Sequence, residues 1–303
     1  MTFGKAAFFC FLLSISVYGR SQDSITDKNI RFIDYYGFSS GSSAWDDIGY
    51  NPKDNTVYVG ITNHRDSVAL YVYNPVKDSV RLNGFISTMG NLRDYQWQAK
   101  IHTKIVAGPD GDMYFGTDGG ESREEYLMEH PKGYSGGYIM KWSPKENRLT
   151  NLGVAMQYES LKDIDVDQTT GKLYTISYPQ VHFLVYDPKT NDMKDHGRLG
   201  SAHVPRMMFT DKWGNCYYVD WRQRLVKYEK SQEKLIFAEE SLPAFPGTPG
   251  EYIITGITAF AKDEKNGVIY LVTYGAKVLA FTCIKAVIST KMVKLILMIN
   301  LLL

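Results

Sequence analysis

The chain reads as an all-β protein, a β-propeller of four-stranded antiparallel blades. Three observations carry that reading. A short β-run bearing a Tyr follows a tight turn five times, with the Tyr at Tyr58, Tyr114, Tyr174, Tyr217 and Tyr270. A second run follows each of these, with an aromatic just before the next turn: Tyr73, Trp142, Tyr186, Tyr228 and Phe281. Helical periodicity is nearly absent. All-β units repeating at roughly 40–60 residues mark a propeller, because a sandwich has no such grammar and β-helix repeats are much shorter.

The chain has 303 residues and a net charge of +1. The length suits one large all-β domain. The charge balance gives no reason to expect a nucleic-acid partner. Residues 1–21 read as a secretory signal: Lys5 is followed by the apolar run Ala6–Val17 and the small residues Gly19 and Ser21. That run is too short for a stable membrane span, so the protein is expected to be secreted or periplasmic. Cys10 lies in the signal. Cys216 and Cys283 remain, enough for one disulfide but not a framework. Ile30–Phe38 is a candidate strand to close the ring.

The propeller domain is assigned to residues 25–281. The turns before the Tyr-bearing runs read PKDN, PDGD, QTTGK, KWGN and EKNG. They hold the Gly, Asn, Asp and Pro residues that reverse a strand. The stretch Lys100–Gly120 is the fullest copy, with Pro109-Asp110-Gly111-Asp112 as its turn. Arg81–Ala99 is either part of a further blade or a long connection. Ser122–Glu129 is a candidate short helix inside a rim insertion, roughly 119–137. Five blades are clear, and a seven-bladed ring needs more sequence than is present. From Thr282 the pattern stops, and the apolar, Lys-interrupted stretch 282–303 reads as the scar of a frameshift or truncation.

No CxxC, HExxH, P-loop, GxGxxG or GxSxG is present. No nucleotide cofactor is expected. A structural metal stays open, with His203 and Cys216 as soft-ligand candidates, but the sequence fixes no ligand set. The polar residues at strand ends are His102, Asp118, Tyr178, His182, His203 and Arg206. They come from three consecutive blades, and propeller ligands bind where such ends converge. In the run Lys100–Ile105, His102 shares a face with Lys100 and Lys104. Tyr178 precedes Pro179, which favours an extended backbone there. Arg206 has the fork geometry to clamp a carboxylate, with Asp211 and Asp220 as rival partners.

The strings WQAKIHTKIVAGPDGDMYFGTDGG, GGYIMKW, LYTISYPQVHFLVYDPKT and HVPRMMFTDKWGNCYYVD resemble the propeller polysaccharide lyases that cleave ulvan, families 24 and 25, and related secreted bacterial propellers. The resemblance covers roughly residues 95–235. It implies a seven-bladed propeller that acts on an acidic, uronate-bearing polysaccharide or oligosaccharide by β-elimination. In such a reaction an Arg neutralises the carboxylate, a His or Tyr removes the C5 proton, and its counterpart protonates the leaving oxygen. Carried over by motif, His102, Tyr178 and Arg206 form the catalytic set; the other strand-end residues, Asp118, His182 and His203, are assigned to substrate binding. Where the family often reads YFGTH, this chain has Asp118 in place of the last His. That change implies a shifted substrate, a raised His102 pKa, or a propeller that binds glycan or protein without cleaving it.

Overall fold

A computed structural model describes residues 33–119, 134–199, 207–220, 222, 224–241, 257–263, 268–273 and 281–285. The chain divides into two compact units, Met1–Asp34 and Tyr35–Leu303. Of the first, only Ile33 and Asp34 are described, without regular structure. The signal stretch 1–21, the candidate helix 122–129 and most of the tail lie outside the described residues, as do His203 and Arg206.

The second unit is a β-propeller, with five antiparallel sheets among the described residues. Blade 1 runs β1 (Ile48–Asn51), β2 (Thr56–Thr62), β3 (Val68–Asn74) and β4 (Ser79–Phe85). In blade 2 the inner strand is split into β5 (Lys100–Ile101) and β6 (Val106–Ala107). Both pair with β7 (Met113–Asp118), which is followed by β8 (Tyr138–Ser143) and β9 (Arg148–Val154). Blade 3 holds β10 (Ser160–Val166), β11 (Leu173–Tyr178), β12 (His182–Asp187) and β13 (Asp192–Arg198). Blade 4 holds β14 (Phe209–Thr210), β15 (Cys216–Val219), β16 (Arg224–Glu229) and β17 (Lys234–Ser241). In blade 5, β18 (Ile257–Asp263), β19 (Val268–Thr273) and β20 (Phe281–Lys285) are described. The last strand therefore runs past residue 281, where the sequence pattern changes. No helix among the described residues is long and apolar enough to cross a membrane.

The sequence repeat has a packing cause. Alternate residues of a strand point to opposite faces, and blades 2, 3 and 4 each bury both faces against their neighbours. Tyr58 packs into the cluster shared with blade 2, beside Phe115 and Trp142. Tyr114 enters the cluster shared with blade 3, Tyr174 that shared with blade 4, and Tyr217 that shared with blade 5. The second aromatic faces backwards: Trp142 to blade 1, Tyr186 to blade 2 and Tyr228 to blade 3. Tyr174 and Tyr228 meet there with ring centroids 5.4 Å apart. The Tyr hydroxyl also secures the turn before its strand. Tyr58, Tyr114 and Tyr217 donate to Asp54, Asp110 and Asp211 at 3.0, 2.8 and 3.0 Å. In blade 3, Tyr174 instead reaches the Gly214 carbonyl in the next blade's turn, at 2.8 Å.

Arg81–Ala99 resolves into the end of β4, a short helix α1 (Ile86–Met89) and a 3-10 turn (Asp94–Gln96). It is a connection, not a further blade. The stretch expected to close the ring is corrected over its described part: residues 33–38 form no strand, and Gly37 takes a φ of 85°. Phe38 packs on blade 1, against Ala69, Tyr71 and Phe85. The physical reason is the bend at Gly37, which an extended closing strand does not tolerate.

Candidate functional site

His102 sits where the inner strand of blade 2 breaks. Between β5 and β6 the Thr103 hydroxyl takes the place of a ladder acceptor, receiving the Gly116 amide at 2.8 Å. This local substitution lets the chain bulge. It leaves His102 only 5% exposed, and its Nδ1 has no hydrogen-bond partner among the described residues. Burial, reinforced by the positive charge of Lys162, lowers the imidazole pKa to about 3. His102 is therefore neutral at ordinary pH.

Asp118 ends β7 and stands opposite Lys100 in the pairing with β5. It is 1% exposed. Its Oδ2 accepts from Lys162 Nζ at 2.5 Å. Burial is the largest single influence and raises the carboxyl pKa, but Lys162, His102 and Lys100 together outweigh it and hold Asp118 well below the ordinary carboxylate range. The same ammonium lies 4.8 Å from the Tyr178 ring centroid, at the end of β11. Thus Lys162, on the inner strand of blade 3, links Asp118 of blade 2 to Tyr178 of blade 3. The expected net rise of the His102 pKa is overturned. Asp118 does pull it upward, but burial and Lys162 act more strongly in the other direction.

His102, Asp118 and Tyr178 occupy one rim, at the ends of their strands away from the turns joining first and second strands. His182 opens β12, and its Nδ1 lies 2.8 Å from Asp195 Oδ2 on the outer strand of the same blade. Its imidazole is engaged there. Of the rival partners for Arg206, Asp220 receives Arg224 in a two-pronged bond at 2.9 and 2.7 Å. Asp211 closes its own turn through the Trp213 and Asn215 amides.

Four residues of this rim escape the sequence reading. Trp45 precedes β1 and stacks on His102, with centroids 5.7 Å apart and planes 20° apart. Its indole Nε1–H donates to His64 Nε2 at 3.1 Å. Its backbone N–H donates to Asp47 Oδ1 at 2.7 Å. Asp47 is fully buried, and burial raises its carboxyl pKa to about 7. Lys162 is the fourth. It sits in the run Lys162-Asp163-Ile164-Asp165, a charge alternation at odds with an inner strand unless the charges pair. They do pair: Asp163 meets Lys104 of blade 2 and accepts the Met208 amide at 2.5 Å, and Asp165 accepts the Thr210 amide at 2.7 Å. That alternation was the available signal.

At the opposite rim a cavity of about 1160 Å³ opens among all five blades, with Tyr50, Gly108, Gln168, Trp213 and Ile269 in its lining. Cys216 is a buried free thiol that contacts Met208 sulfur at 3.8 Å. The disulfide that the sequence allowed is therefore not formed, and burial raises the thiol pKa, which disfavours the thiolate needed for metal binding. Among the described residues no group of three His, Cys, Asp or Glu is placed to hold a metal.

No protein-family model matches the chain, and no curated protein matches it in sequence. Solved structures do match in shape. A protein from Lactobacillus plantarum aligns with a TM-score of 0.53 at 11% identity, over 79% of this chain and 67% of that one. An auxiliary nutrient binding protein from Bacteroides thetaiotaomicron aligns with a TM-score of 0.46 at 13% identity, over 80% of this chain. The present chain spans 57% of that protein's length. A luciferin-regenerating enzyme aligns with a TM-score of 0.46 at 14% identity, over 75% of this chain and 69% of that one. At these identities the likeness concerns the fold alone.

Proposed function

We propose that the protein is a secreted propeller that binds an acidic, uronate-bearing glycan on the His102–Asp118–Tyr178 rim and holds it without cleaving it. The observation that carries this reading is the Asp118–Lys162 pair. β-Elimination needs a cation to neutralise the uronate carboxylate before the C5 proton can leave. Lys162 is the ammonium beside Tyr178, and Asp118 already neutralises it at 2.5 Å. The adjacent His102, with a pKa of about 3, is a weak proton acceptor, since a general base works best with a pKa near the operating pH. Binding asks less of the same groups: a half-buried phenol and a buried ion pair offer a sugar hydrogen bonds and an aromatic face.

A second reading, a polysaccharide lyase, draws on a specific observation. His102 is neutral and its Nδ1 has no partner among the described residues, so it is free to accept a proton. Arg206, outside the described residues, would then neutralise the carboxylate. Incubation with a panel of uronate polysaccharides separates the two readings. The binding reading expects retention of the glycan with no growth of unsaturated-uronate absorbance. Growth of that absorbance, lost in both His102→Ala and Tyr178→Phe, would replace it with the lyase reading.

A further inference from the structure

Trp45 is 41% exposed, yet its ring is held from several sides. The backbone N–H is tied to Asp47 and the indole N–H to His64. Lys100 lies in β5, and His102 follows in the break between β5 and β6. Both meet the indole: Lys100 Nζ lies 4.9 Å from the ring centroid, and the imidazole stacks at 5.7 Å. An aromatic ring whose polar atom is satisfied, and whose orientation is fixed by a cation and a stacked ring, is organised before any ligand arrives. The exposed part of the ring is what remains for a partner. Beneath it lies an independent sign of a ligand: Nδ1 of the 5% exposed His102 has no partner among the described residues, although buried polar atoms are normally satisfied.

The position of Trp45 extends the site. Trp45 belongs to blade 1, His102 and Asp118 to blade 2, and Lys162 and Tyr178 to blade 3. The contacts form two runs, Trp45 to His102 and Asp118 through Lys162 to Tyr178, and Lys100, which faces the Trp45 ring, stands opposite Asp118 in the β5–β7 pairing. We propose that Trp45 is a stacking platform for a pyranose next to the sugar held at Asp118, Lys162 and Tyr178, so that the rim takes at least two consecutive sugars. The C–H face of a pyranose is apolar and lies flat on an indole, while its hydroxyls reach polar groups at the ring edge. This proposal rests on the glycan-binding reading and adds a chain-length requirement to it.

The test is calorimetric titration with a uronate monosaccharide, disaccharide and tetrasaccharide, together with a neutral hexose tetrasaccharide. The wild-type chain is compared with Trp45→Ala and Trp45→Phe, each verified as folded by near-ultraviolet circular dichroism and melting. The proposal expects wild-type affinity to rise from monosaccharide to tetrasaccharide. Trp45→Ala should bind the tetrasaccharide at least about tenfold more weakly and the monosaccharide unchanged, with Trp45→Phe in between. A merely structural Trp45 would weaken all lengths alike, and that result overturns the proposal, as does tetrasaccharide binding by Trp45→Ala equal to wild type. If the uronate series fails to bind but the neutral tetrasaccharide binds and loses affinity in Trp45→Ala, the platform stands and the acidic-glycan reading falls. If no saccharide binds, both fall.

Discussion

Replacing Asp118 by Asn removes one charge and almost no volume, and so isolates the ion pair at the heart of the rim. The side chains of Asp118 and Lys162 are 2% and 9% exposed. The variant leaves an ammonium in a site that solvent barely reaches. Breaking a buried pair by removing one partner costs about 3–5 kcal/mol, because the remaining charge is uncompensated. For a domain of this size each kcal/mol lowers Tm by about 2 °C. A melting curve of Asp118→Asn is therefore expected about 6–10 °C below wild type. The double variant Asp118→Asn/Lys162→Met should recover most of that loss, since no unpaired charge remains. Acid titration adds a second check. The folded Asp118 carboxyl lies below its ordinary value of 3.8, so its stabilising contribution is present above that pH. It is lost as pH falls towards the folded value, and Asp118→Asn should lack this loss. If Asp118→Asn melts within about 2 °C of wild type, or if the two substitutions add without recovery, the pair is not what holds blades 2 and 3 at this rim.

Other substitutions test other parts of the structure. His102 is lowered from 6.5 to about 3, so the unfolded chain binds a proton that the folded one refuses between those values. Its contribution to stability falls as pH drops from 6.5 towards 3, and His102→Gln should flatten that part of the urea-denaturation profile. Asp47 has the opposite sign: raised from 3.8 to about 7, it is most compatible with folding at low pH, and its contribution is lost as pH rises through 7. The gain of Asp47→Asn over wild type should therefore be larger at pH about 8 than at about 4. Gly49 of blade 1 approaches the Ile105 carbonyl of blade 2 so closely that an added Cβ would strike the backbone. Gly49→Ala is expected to lower stability by about 1–3 kcal/mol, read as a shifted denaturant midpoint. Tyr114→Phe, which frees Asp110 from its hydroxyl partner, should cost about 1 kcal/mol by the same assay.

The repeat was legible because it is local. Tyr58, Tyr114, Tyr174 and Tyr217 each lie one strand beyond a turn, and the aromatic partners stand one strand further. What the pattern could not give is direction. Only the packed sheets show that the first aromatic faces the next blade and the second the preceding one. His102, Asp118 and Tyr178 were legible as strand-end residues, and they do share a rim. Lys162 was not, because its tie to Asp118 joins strands 44 residues apart and no local spacing encodes it. The sign of the His102 shift was misjudged for a similar reason. Sequence shows a neighbouring acid, but burial, the larger effect, appears only once the inner strands meet. Trp45 was passed over because it precedes the first strand and belongs to no repeat. His182 was drawn to the site by its strand-end position, whereas its ring turns outward to Asp195.

The decisive experiment is affinity electrophoresis through gels cast with and without a uronate polysaccharide, with unsaturated-uronate absorbance followed in parallel solution. The glycan-holding proposal expects retarded migration in the polysaccharide gel, relief of that retardation by competing oligosaccharide, and no rise in absorbance. Migration unaffected by every uronate polysaccharide, from a protein shown to be folded, would contradict it.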